Sequence, residues 1–114
     1  MIQLKRIYEK SRKEDGVRVL ADRLWPRGLS RGRAKVDLWL REIAPSDALR
    51  KWFSHDSERW EGFQRRYLTE LKAKGPLLQR LKRLEKRKGA VTLVYGARDN
   101  VHNNAVVLAE MLRR

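Results

Sequence analysis

A chain of 114 residues, 41% of them hydrophobic, has room for one domain around one core, and 28 basic against 14 acidic residues give it a formal net charge of +14. The absence of cysteine excludes disulfides, thiolate metal sites and a cysteine nucleophile. No apolar run approaches the roughly 20 residues of a membrane span, and Met1 to Lys5 is no secretory leader, so a soluble, cytoplasmic protein with no membrane partner is expected.

Ile2 to Tyr8 reads as a first strand, with Ile2 and Leu4 on one face. The polar stretch from Ser11 closes on Asp15-Gly16, a turn signal, and Val17 to Ala21 follows as a second strand, central by its β-branched, apolar content. That Asp-Gly turn suggests that the two strands are hairpin neighbours. Leu29 to Arg33 is a basic loop or a brief helical turn starting at Ser30, and Val36 to Leu40 a short third strand. Ser46-Asp47 caps a helix through Phe53, and Ser54-His55-Asp56 breaks it.

Asp56 or Ser57 then caps an amphipathic helix on which Trp60, Phe63, Tyr67 and Leu71 share one face. Gly75-Pro76 ends it and opens another, striped by Leu77, Leu78, Leu81 and Leu84 and closed by Gly89. Ala90 to Tyr95 is the most apolar strand, hence buried. After the loop Gly96 to Asn100, a last helix runs from about Asn103 to Leu112, with Ala105, Leu108, Met111 and Leu112 facing in. This alternation predicts a single α/β domain, a mostly parallel sheet of about four strands with helices packed on its faces.

Ligands of open α/β sheets bind outside the carboxyl ends of the strands. Two strands here leave the core with polar cargo: Asp22-Arg23-Leu24-Trp25-Pro26-Arg27-Gly28 follows the second strand, and Tyr95 to Asn104 completes and follows the late one. If the two strands run parallel as neighbours, both tails reach one rim. Arg23 and Arg27 could fork onto an anion there, and the helix beginning near Asn103 would add free N–H groups. His102 could move a proton or donate to an oxyanion.

Each residue also has a plainer role open to it. Asp22 could lock an arginine, Trp25 plug the core, Tyr95 sit in the core with its hydroxyl satisfied, and Asp99 and Asn103 simply cap a helix. Ser54-His55-Asp56 resembles a triad in composition only, because adjacent residues rarely face one another correctly. No ligand spacing typical of zinc and no glycine-rich phosphate loop is present, so no metal is expected and no cofactor can be named.

Asp22 to Gly28, Trp39, Ile43-Ala44-Pro45-Ser46, Leu49 to Phe53, His55-Asp56, Arg59-Trp60, Phe63, Arg66-Tyr67, Glu70-Leu71, Thr92-Leu93, Asp99 and His102-Asn103 together resemble the DUF488 family, in its YeaO-like bacterial branch. The likeness covers nearly the whole chain. Longer relatives look as though they carry Cys-x-Glu after the late strand and Cys-His-Arg before the last helix. Here those places hold Tyr95-Gly96-Ala97 and Val101-His102-Asn103, so any thiol-dependent role of the longer relatives is not implied. By position the resemblance points to Asp22, Arg23, Arg27, His55, Tyr95, Asp99, His102 and Asn103. Arg50 and Arg66 are secondary, since Glu70 lies one helical turn from Arg66 and could pair with it.

The expected function is binding of an anionic small molecule, nucleotide- or phosphate-containing, at the C-terminal edge of the sheet. Arg23, Trp25, Arg27, His55, Tyr95 and Asn103 would contact it, and Asp22, Asp99 and His102 would carry any acid–base chemistry. One competing expectation is a nucleic-acid module working through Arg80, Arg83 and Arg87 on the basic helix. Another is a protein-interaction or stress-associated role without catalysis. Neither oligomeric state nor ligand identity follows from the sequence.

Overall fold

The computed structural model describes all residues from 1 to 114. Four strands form one sheet: β1 (Ile2–Arg6), β2 (Val17–Leu20), β3 (Leu38–Trp39) and β4 (Val91–Tyr95). Their order is β1-β4-β2-β3, and every pairing is parallel. The helices are α1 (Arg31–Ala34), α2 (Asp47–Phe53), α3 (Trp60–Lys72), α4 (Gly75–Lys88) and α5 (Asn104–Arg113). This is the expected α/β architecture.

The hairpin expected between the first two strands does not form. β4 lies between them, paired with Ile2 to Arg6 on one side and with Val17 to Leu20 on the other. As the most apolar strand, it gains most from the centre of the sheet, where both faces are covered. Gly16 does adopt the left-handed φ of +63° that a turn glycine permits, but for a different reason. A Cβ there would sit 2.3 Å from the Ala90 carbonyl oxygen, so the glycine lets the chain pass close to the start of β4.

Alternation along the strands sorts their side chains between two faces. Val19, Val91, Leu93 and Tyr95 join the main core with Phe53, Phe63, Tyr67, Leu71 and the inner face of α5. Leu20 and Val94 point the other way, into a smaller cluster with Ile7 and Ala34, edged by Trp25, Leu29, Val36 and Trp39. The stripe on α3 is thus packed as its spacing predicts. On α4 only Leu81 is fully buried, so that helix is the more peripheral.

Polar residues close the lower end of the sheet. Asp15, 6% exposed, pairs with Arg18 (2.6 Å), itself 4% exposed, and with Lys5 (2.9 Å). Arg18 spends its remaining donors on the Ala34 and Lys35 carbonyls, and Thr92 donates to the Asp15 carbonyl. Burial alone would raise the Asp15 carboxyl. Lys5, the Arg12 N–H and Arg18 outweigh it and hold the group below its ordinary value.

Candidate functional site

At the upper rim, β2 and β4 end side by side, so their polar tails meet. The Gly96 N–H, first after β4, donates to Asp22 Oδ2 (2.9 Å). The Asn104 amide, first residue of α5, donates to the Ala21 carbonyl (3.1 Å). Asn103 caps α5 by accepting from the Val106 N–H, and its own amide donates to the Asp99 carbonyl. From the opposite side the Trp39 indole N–H holds the Asp22 carbonyl (2.8 Å).

Above this junction opens a cavity of about 590 Å³, within the range of small-molecule sites. Five of its 18 lining residues are arginine (Arg6, Arg23, Arg27, Arg50 and Arg98), against one carboxylate, Asp22. Backbone carbonyls aim two of them: Arg23 Nε donates to Pro45 O (3.0 Å), and Arg6 Nε to Ala97 O (3.1 Å) while its guanidinium lies over the Tyr8 ring. Arg50 pairs with Asp47 through one terminal nitrogen, and its buried Nε has no partner. Tyr8, Trp25, Phe53 and Phe63 supply aromatic wall.

The Pro45 carbonyl that holds Arg23 is itself fixed by α3. Glu70 accepts from the Ser46 N–H (2.7 Å) and the Ser46 hydroxyl (2.6 Å), and Lys74 donates to Ala44 O. Glu70 therefore does not pair with Arg66, the partner its helical spacing suggests. Arg66 instead lies over the Trp52 ring, 4.0 Å from its centroid.

Of the residues singled out from the sequence, Asp22, Arg23, Trp25, Arg27, His55 and Asn103 line the cavity, and Tyr95, Asp99 and His102 do not. Asp22 forms no ion pair with Arg23. Burial pushes its carboxyl above the ordinary value, against the opposing pull of the Gly96 N–H, the Asn104 amide and His55. Trp25 faces the cavity while its indole N–H donates to Leu29 O and its ring meets Trp39 edge-on. Arg27 is exposed, and its carbonyl accepts from the Tyr8 hydroxyl. His55 follows Ser54 in the left-handed region, at φ of 57° and 45°. That conformation is uncommon outside glycine, and it turns the imidazole towards Phe53 and the cavity mouth.

Tyr95 lies in the main core beneath the cavity, 5% exposed. Asp99 and His102 form their own unit beside α3. The imidazole Nδ1 is 2.8 Å from Asp99 Oδ2, and the ring packs edge-on against Trp60. Asp99 Oδ1 accepts the Val101 and His102 N–H groups. The His102 N–H foremost, then the Val101 N–H and the His102 ring, lower its carboxyl to about 2.

Sequence reasoning missed Arg6 and Tyr8. They end and follow β1, whose parallel pairing with β4 carries them to the same rim, and the expected hairpin would have pointed them elsewhere. No cluster of three or more His, Cys, Asp or Glu could hold a metal ion, and no helix is long and apolar enough to cross a membrane. Arg80, Arg83 and Arg87 are exposed on α4, away from the cavity lining.

The chain matches the DUF488-N3i family, described as the inactive DUF488-N3 subclade, over residues 1–114. It is similar to the uncharacterized protein YeaO of Escherichia coli (strain K12), 40% identical over 112 residues that cover 98% of this chain and 96% of that protein. The uncharacterized protein Rv3073c of Mycobacterium tuberculosis (strain ATCC 25618 / H37Rv) is 38% identical over 111 residues, 97% and 92% of the two chains. The same figures hold for the uncharacterized protein Mb3100c of Mycobacterium bovis (strain ATCC BAA-935 / AF2122/97). No solved structure matches the chain.

Proposed function

We propose a binding role for this chain, which belongs to the DUF488-N3i family: it holds a phosphate-bearing small molecule, such as a nucleotide, at the carboxyl edge of the sheet. The observation that carries this reading is the five-to-one excess of guanidinium over carboxylate around one cavity. Guanidinium groups match phosphate geometry and donate in pairs, and in a recess they are less screened than on an open surface. The aromatic wall suits the flat or apolar remainder of such a ligand.

Binding is favoured over turnover for two reasons. The Asp99–His102 pair, the best-formed acid–base couple of the chain, lies outside the cavity lining, and the family is described as inactive.

Titration calorimetry with AMP, ribose 5-phosphate and pyrophosphate at about 150 mM salt tests the proposal. A charge-assisted hydrogen bond contributes about 1.5–3 kcal/mol, so Arg23→Ala should weaken binding by about 10- to 100-fold with the fold intact. Absence of heat and of thermal stabilisation with all three would refute it. Saturable release of product from any of them would refute the non-catalytic part alone.

A further inference from the structure

The single carboxylate in the cavity is out of place in a site built only to attract anions. Asp22 shares the lining with five arginines yet forms no ion pair, whereas Asp15, Asp47, Asp56 and Glu85 each engage a cation elsewhere in the chain. One of its oxygens, Oδ2, is taken by the Gly96 N–H, and the Asn104 amide lies beside the group. The backbone is pinned as well, with the Asp22 carbonyl held by Trp39 and the Ala21 carbonyl by Asn104. A carboxylate fixed this way keeps acceptor capacity towards the cavity. It repels a bare anion that enters among the arginines, and it attracts a hydroxyl or amine on the same molecule.

Resting on the anion-binding reading above, we propose that Asp22 determines specificity in this cavity: the ligand is a phosphorylated compound that also carries a hydrogen-bond donor, a sugar or nucleoside phosphate rather than inorganic phosphate or a simple phosphate ester. The arginines supply attraction for the charged end. Asp22 sets the penalty for ligands without a donor, because a buried acceptor left facing an anion loses its water and gains no partner. It is a binding residue and takes no part in bond making.

The experiment compares ribose 5-phosphate with methyl phosphate by calorimetry, on the wild type and on Asp22→Asn, with Asp22→Ser as a second variant should the first fail to fold. Both replacements remove the charge, and the asparagine keeps an oxygen able to accept from Gly96. The wild type should bind ribose 5-phosphate at least about tenfold more tightly than methyl phosphate, as one charge-assisted hydrogen bond implies. In the variant the ratio should shrink to about threefold or less, with methyl phosphate binding more tightly than it does to the wild type. A purely structural role would weaken both ligands together and leave the ratio unchanged, which overturns the proposal. Equal affinities in the wild type overturn it too. If neither ligand binds the wild type, the anion-binding reading fails and this one falls with it, an outcome distinct from measurable binding without selectivity.

Discussion

Replacing Asp15 by asparagine removes one negative charge from a buried group that serves two cations and changes almost nothing in shape. Its side chain is 8% exposed and that of Arg18 5%, at 2.6 Å, while Lys5 stands 2.9 Å away at 14%. Removing one partner of a buried pair costs about 3–5 kcal/mol, because the remaining charge stays desolvated. Arg18 keeps its bonds to Ala34 and Lys35 and cannot leave the sheet, so the lower part of that range applies, about 3 kcal/mol. Domains of this kind have about 5–15 kcal/mol in total. With an m-value of about 2 kcal/mol/M, the urea midpoint at pH 7 should fall by about 1.5 M. The Asp15 carboxyl is held below its ordinary value of 3.8 in the folded state. Its contribution is therefore complete above that pH and is lost as the pH falls through the lower folded value, so wild type and variant should converge in acid. A loss below about 1 kcal/mol at pH 7, or one that persists unchanged below about pH 3, would refute the assignment of this triad as a buried lock.

Three further outcomes follow from the same structure. Tyr67→Phe deletes a fully buried hydroxyl that donates to the Ile43 carbonyl at 2.7 Å; leaving that carbonyl unpaired should cost about 1–3 kcal/mol, read as a calorimetric Tm lower by about 4–12 °C. Asp22→Asn should raise stability at pH 7, because burial lifts the folded carboxyl above the ordinary value of 3.8 and the unfolded chain loses its proton first as pH rises; the gain should vanish below that value in urea titrations, and a variant less stable at pH 7 would contradict the burial argument. Reversing charge at Arg80, Arg83 and Arg87 together should leave AMP affinity within about threefold at about 150 mM salt, since these residues are exposed and outside the cavity lining, where salt screens them. A larger loss would move the site towards α4.

Local chemistry made much of the fold legible. Ser30, Ser46 and Asn103 each accept from an N–H of the first helical turn, as their positions at the head of helical segments predict. The stripe Phe63, Tyr67, Leu71 is buried because its spacing leaves no other face apolar. Strand order was not legible, because it depends on which strand takes the doubly covered centre, and Asp15-Gly16 gives the same signal beside a hairpin or beneath a neighbouring strand. Likewise Arg18 looks like a solvent-facing strand residue until Asp15 and two carbonyls are folded around it. The tails of β2 and β4 were visible as polar cargo after apolar runs, whereas the places of Arg6, Tyr8 and the outlying Asp99–His102 pair depend on register and helix entry.

8-Bromo-AMP joins a phosphate, sugar hydroxyls and an anomalous scatterer in one ligand. Crystals soaked in it should show their strongest anomalous peak in the cavity above Gly96, with the phosphate within hydrogen-bonding reach of the Arg23 guanidinium and at least one of Arg6, Arg27 or Arg98. An empty cavity, with peaks scattered over the exposed arginines of α4, would contradict the account.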